Sequence, residues 1–310
     1  MRIAIVGAGG VGGYFGGRLA EAGADVVFLA RGAHLQAMRA NGLRIDSPNG
    51  TVHIPRVEAT DDPAAIGPVD IAMFAVKLYD SEAAARMLPP LVGPDTAVIP
   101  LQNGVDGVDI VRRVVGPAHT AGGTVYVSAV IEEPGVIRHT AMDQLIFGEL
   151  DGQRSPRLER LLQACATAKF KSTLSDQIHV DIWTKFVRLS VFSGMTTVTR
   201  SPIGVIVNDP DLLAMLKAAV REATLVAQAR GVPVPEDSPD RVEKGYKVLP
   251  PGAKSSMLED LERGRRLELP WLSGAVVRIG EEVGVSTPIH RFIANVLKPH
   301  VNGAVVTRSS

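Results

Sequence analysis

Residues 3–12 read Ile3-Ala4-Ile5-Val6-Gly7-Ala8-Gly9-Gly10-Val11-Gly12. Four apolar residues run into a glycine cluster, and the cluster runs into a helical pattern. The spacing is G-x-G-x-x-G, and between a strand and a helix each glycine has a mechanical task. Gly7 permits the tight turn, Gly9 lets backbone approach a pyrophosphate, and Gly12 lets helix and strand pack closely. Free N–H groups and the partial positive charge at the helix start suit the phosphates. Gly7, Ala8, Gly9, Gly10, Val11 and Gly12 are therefore expected to line a dinucleotide.

Working outward, short apolar runs alternate with helical patterns. Strands are expected at residues 2–6, 25–29, 71–76, 97–100, 124–127 and 144–147, with helices at 11–21, 33–41, 81–88 and 107–115. Strands this apolar, alternating with helices, indicate a parallel sheet covered on both faces. Val130 to Ile137 reads as a hairpin turning at Pro134-Gly135. From about residue 151, long amphipathic stretches take over, at 155–168, 177–194, 210–230, 255–263, 270–283 and 290–301. Pro233, Pro235, Pro239, Pro250 and Pro251 read as loops among them. The expected fold class is α/β: an N-terminal Rossmann-like dinucleotide-binding domain over residues 1–170, then an all-helical substrate and catalytic domain over residues 171–310.

Composition limits the partners. The chain has 310 residues, with 33 Lys+Arg against 33 Asp+Glu, and is 45% hydrophobic and 21% charged. That is a packed globule with no surface-wide charge for nucleic acid or an anionic membrane. No apolar run approaches the roughly 20 residues of a bilayer span, and nothing after Arg2 resembles a secretory leader. A cytoplasmic, soluble protein is expected, with no membrane and no nucleic-acid partner. The single cysteine, Cys165, lies in an apolar helical stretch and reads as a buried, inert thiol. The seven histidines form no H-x-x-x-H or H-E-x-x-H pair, so no metal site is expected.

The second strand indicates which cofactor. Sites that prefer NAD place an acid about 20 residues beyond the glycines, where it holds the ribose 2′-hydroxyl. Here the strand ends Val26-Val27-Phe28-Leu29-Ala30-Arg31, and an arginine suits a bidentate grip on a 2′-phosphate. Lys77, in Ala75-Val76-Lys77, follows the third strand at the same sheet edge and offers a second cation. NADP(H) is expected over NAD(H).

Four further motifs follow in order: Ala30-Arg31-Gly32-Ala33-His34-Leu35, Leu101-Gln102-Asn103-Gly104, Ile182-Trp183-Thr184-Lys185, and Ser255-Ser256-Met257-Leu258-Glu259-Asp260 ahead of Gly264-Arg265 and Glu268. Over nearly its whole length the chain resembles the ketopantoate reductases, or 2-dehydropantoate 2-reductases. The resemblance implies NADPH-dependent reduction of ketopantoate to pantoate, on the way to pantothenate and coenzyme A. It implies that Lys185 and Glu268 are catalytic and that Asn103 lies near both nicotinamide and substrate. It also implies that Ser256 binds the substrate carboxylate and that Arg31 and Lys77 recognise the 2′-phosphate.

The residue types suit that chemistry. Hydride delivery to a ketone leaves a developing alkoxide, which needs a proton donor and positive potential. Lys185 lies among Ile182, Trp183, Phe186, Leu189 and Phe192, so dry surroundings can draw its pKa down. The family commonly has asparagines four and eight residues after this lysine, on the same helix face. Here they are Leu189 and Ser193. Ser193 remains a substrate-binding candidate, while Leu189 makes the acyl pocket more apolar. Ketopantoate leads, and a different, more apolar 2-oxo acid stays open. Another class of function, an NADP(H) sensor without turnover, also stays open, although Lys185 and Glu268 together weigh against it. A homodimer is the base-rate expectation.

Overall fold

The computed structural model describes residues 1–304. The chain divides into two compact units, one of Met1–Gln102 with Asp106–Asp181, the other of Asn103–Val105 with the residues from Ile182 onward.

The first unit runs β1 (Arg2–Val6), α1 (Gly10–Glu21), β2 (Asp25–Leu29), α2 (Gly32–Asn41), β3 (Leu43–Asp46), β4 (Val52–Ile54), β5 (Glu58–Thr60), β6 (Val69–Phe74) and α3 (Ser81–Ala85). It continues through β7 (Val92–Pro100), α4 (Asp106–Val115), β8 (Ala121–Glu133), β9 (Val136–Glu149), α5 (Pro156–Ala166) and β10 (Lys171–Leu174). One sheet has the order β5-β2-β1-β6-β7 with every pair parallel. Side chains alternate across a strand, so Ile3 and Ile5 enter one apolar layer while Ala4 and Val6 enter another. Burial on both faces is why β1 reads as an unbroken apolar run. The Rossmann-like expectation holds.

A second sheet has the order β10-β9-β3-β4, with β8 antiparallel to β9. The hairpin read at Pro134-Gly135 is present: Glu133 pairs with Val136, and Gly135 turns with φ +83°. The expected strands did not include β3, β4, β5 or β10, which are three or four residues long and carry too few alternations to show a period. β10 pairs in parallel with β9, so residues 171–174 belong to the first unit. That unit runs to Asp181, past the boundary expected at 170, because the helical pattern begins before the unit ends.

The second unit holds α6 (Ile178–Thr199) from Ile182 on, then α7 (Ile203–Asn208), α8 (Pro210–Ala229), α9 (Ser238–Lys247), α10 (Ser256–Glu262), α11 (Ser273–Val283) and α12 (Pro288–Leu297). Phe186, Val191 and Met195 of α6 share a core with Leu216 and Val220 of α8 and Val276 and Ile279 of α11. The proline-punctuated stretch expected as loop contains α9. Pro239 lies in the first turn of α9, where its missing N–H has no helical partner to lose, so it starts a helix instead of breaking one. Among the described residues no helix is long and apolar enough to cross a membrane.

Candidate active site

The parallel strands bring their carboxyl ends to one sheet edge. β1 pairs with β2 on one side and β6 on the other, so the strand order reverses direction at β1, where such sheets take their ligands. The turn after β1 is pinned by the N–H groups of Gly7 and Ala8, which both donate to the Leu29 carbonyl at 3.1 and 3.2 Å. Gly7 sits at φ +96°, a conformation other residues rarely adopt. Gly9 caps the start of α1, and a Cβ there would meet nothing within 4 Å. Open space beside the free amides of the first turn fits a pyrophosphate. Gly10 is a glycine for a different reason: a Cβ would lie 2.1 Å from the Ala129 carbonyl oxygen of β8.

Arg31 follows β2 and Lys77 follows β6, so both leave the sheet at the edge that carries the glycine turn. Both are exposed. Two exposed cations beside an amide-lined turn fit a dinucleotide carrying an extra phosphate. One feature was not read from sequence: the Arg31 Nη2 lies 3.5 Å from an oxygen of Asp80.

The second unit gathers three of the residues singled out above. Lys185 of α6 and Glu268 are 9% and 7% exposed, and Asn103 joins them from the Asn103–Val105 segment. Lys185 Nζ donates to Asn103 Oδ1 at 3.1 Å, and Asn103 Nδ2 donates to Glu268 Oε2 at 3.2 Å. The amide orientation follows from its partners, since the reverse would set Nδ2 against an ammonium and Oδ1 against a carboxylate. Burial draws the Lys185 pKa down to about 8, while the charge of Glu268 opposes the fall. Such a lysine holds its proton near neutrality and gives it up readily.

The remaining candidates are distributed around this trio. Ser193 is buried on α6, two turns beyond Lys185, and Leu189 between them is half-buried against the helical core. Ser256 is the exposed first residue of α10. Its neighbour Ser255, not singled out from sequence, is buried, accepts the Leu258 N–H at 3.1 Å and hydrogen-bonds Thr196 of α6 at 2.7 Å. A serine ahead of a helical run was the available signal for that cap. Tyr246 was also missed: it is buried and donates its hydroxyl to the Arg188 carbonyl at 2.5 Å. Cys165 is buried, and burial pushes its thiol up to about 12, so it carries no thiolate chemistry.

Comparison with known proteins adds a family. Residues 3–152 match the model of "Ketopantoate reductase PanE/ApbA", and residues 177–301 match its C-terminal counterpart. A 2-dehydropantoate 2-reductase of Mesorhizobium japonicum is 32% identical, over 93% of this chain and 94% of that protein. A crystal structure of a PanE/ApbA family ketopantoate reductase from Ralstonia eutropha JMP134 superposes with a TM-score of 0.88 at 30% identity, over 97% of this chain and 98% of that one. A D-mandelate dehydrogenase, solved with NADH and anilino(oxo)acetate, reaches a TM-score of 0.88 at 22% identity, over 97% and 98%. At that identity the likeness is one of fold.

Proposed function

The chain belongs to the ketopantoate reductase family, and from that premise we propose that it reduces ketopantoate to pantoate with NADPH. It is an oxidoreductase of the 2-dehydropantoate 2-reductase type. The observation that carries the proposal is the hydrogen-bonded chain from Lys185 through Asn103 to Glu268.

Reduced nicotinamide, when bound, supplies the hydride that the carbonyl carbon accepts. The chain's own residues supply the rest. Lys185 Nζ offers positive charge and a proton to the oxygen that becomes an alkoxide, and with a pKa near 8 it is mostly protonated at neutral pH. Asn103 accepts one N–H of the ammonium and so orients it. Glu268, held by the Asn103 amide, keeps the lysine charged against the cost of burial. In this reading Ser256 binds the substrate carboxylate, Ser193 lines the acyl pocket, and Arg31 and Lys77 hold the 2′-phosphate. The reaction belongs to cytoplasmic supply of pantothenate and coenzyme A.

A second reading within the family is favoured by Leu189. It stands half-buried one turn after Lys185, on the face that would line the acyl group, and it can neither donate to nor accept from a substrate hydroxyl. A more apolar 2-oxo acid suits that surface. The test follows NADPH absorbance with ketopantoate, 2-oxo-3-methylbutanoate and phenylpyruvate. Ketopantoate with the highest kcat/KM supports the first reading. An apolar acid in first place supports the second, and no turnover with any of them contradicts both.

A further inference from the structure

Ser255 and Ser256 are adjacent but have opposite environments. Ser256 is exposed, while Ser255 is 1% exposed and Thr196 is fully buried. The two buried hydroxyls are 2.7 Å apart, and each has one proton to give. Thr196 Oγ1 donates its proton to the Phe192 carbonyl at 2.7 Å, one turn back along α6. Ser255 must therefore be the donor to Thr196, and its own oxygen accepts the Leu258 N–H. The result is one directed chain, from the Leu258 amide through Ser255 and Thr196 to the Phe192 carbonyl, with each hydroxyl both donating and accepting.

A second tie reinforces the first. The Phe192 ring packs against Tyr246 with centroids 5.4 Å apart, and the Tyr246 hydroxyl donates to Arg188. The segment from Tyr246 to Ser255 is thus fastened to α6 at both ends, at Arg188–Phe192 and at Thr196. Over the stretch from Arg188 to Thr196, α6 carries Leu189 and Ser193, on the face it shares with Lys185. Thr196 is three residues beyond Ser193, so the Ser255 tie brings the start of α10 to the Ser193 end of that face.

We propose that the Ser255–Thr196 pair is a positioning device for substrate. It holds the start of α10, and with it the Ser256 hydroxyl, at a fixed place relative to α6, so that a 2-oxo acid held there by its carboxylate presents its oxo group towards Lys185. The proposal rests on the reading of Ser256 as the carboxylate-binding serine. Neither Ser255 nor Thr196 touches substrate; both act through Ser256. Capping alone would need only Ser255 and the Leu258 amide, whereas the proton of Ser255 is spent on a residue of another helix.

The test uses Thr196→Val, which removes the tie, keeps the shape and leaves the Ser255 cap intact. The substrate is whichever of ketopantoate, 2-oxo-3-methylbutanoate and phenylpyruvate the wild type reduces fastest. Loss of one positioning hydrogen bond is expected to raise KM for the acid about three- to tenfold. The carboxylate is not the reacting centre, so kcat and the KM for NADPH are expected to change little. Thr196→Ser is expected to restore KM. Ser256→Ala is expected to raise KM at least as far, and adding Thr196→Val to it should contribute little more. Wild-type KM in Thr196→Val beside a raised KM in Ser256→Ala would overturn the positioning role alone. A lowered melting temperature with unchanged KM would do the same, assigning the pair to structure. Unchanged KM in Ser256→Ala would overturn the carboxylate reading and the proposal with it.

Discussion

The guanidinium of Arg31 lies 3.5 Å from the carboxylate of Asp80, at the sheet edge that carries the glycine turn. Both side chains are exposed, so the pair itself contributes little to stability. Its consequence is for the proposed NADPH site: a 2′-phosphate held by Arg31 would share it with a carboxylate of its own sign. Asp80→Asn is expected to tighten NADPH binding about two- to fivefold, with NADH nearly unaffected. Fluorescence titration of the nucleotide at low salt measures this. Equal gains for both nucleotides would show that Asp80 does not face the phosphate.

The alkaline side of the pH profile should report Lys185. As proton donor it is competent when protonated, so activity is expected to fall as pH rises through about 8. Glu268 raises that pKa, and burial lowers it. Glu268→Gln removes the raising influence only, so the alkaline limb is expected to move to lower pH. Profiles of kcat/KM for the two proteins decide the matter, and an unmoved limb would separate Glu268 from the lysine.

Two adjacent glycines should fail in different ways. Gly9→Ala places a methyl where the chain itself has open space, so folding is expected to be retained and NADPH binding lost. Gly10→Ala drives a methyl to within 2.1 Å of the Ala129 carbonyl oxygen, and backbone has to move. A loss of about 1–3 kcal/mol of stability is expected for that overpacking. Thermal unfolding without nucleotide, alongside nucleotide titration, distinguishes them; equal melting temperatures would contradict the account.

Glu222 of α8 is buried and accepts the Ile289 and His290 N–H groups at 2.9 and 3.1 Å, one on each carboxylate oxygen. These are amides of the first turn of α12, which have no partner within their own helix. Glu222→Ala leaves both unsatisfied and is expected to cost about 2–4 kcal/mol. Denaturant unfolding measures the loss. Because Glu222 carries no site residue, KM values of the folded fraction should stay near wild type.

The glycine turn was legible because its motif is written in consecutive residues, and β1 and β2 because burial on both faces leaves an unmistakable apolar run. The second sheet was not: Leu43-Arg44-Ile45-Asp46 alternates for only four residues, and of its two partners β4 is three residues long and β9 lies far along the chain. The helical half was legible by period, except around Pro239, which reads as loop and lies in the first turn of α9. Within the site, motif order singled out Lys185, Asn103 and Glu268. It could not say that the asparagine amide stands between the other two, because that link joins residues 82 and 165 positions apart. Asp80 and Thr196 were missed because an exposed acid and a helical threonine are ordinary residues until a partner from elsewhere is placed beside them.

In the proposed reaction Lys185 supplies the proton for reduction of a 2-oxo acid. Single-turnover oxidation of bound NADPH, followed by absorbance with ketopantoate and the two apolar acids in wild type and Lys185→Met, tests it most directly. Methionine keeps much of the apolar stem and removes the proton and the charge. NADPH affinity is expected to be unchanged and the chemical step slowed at least about 100-fold. A variant that oxidises NADPH at nearly the wild-type rate would contradict it.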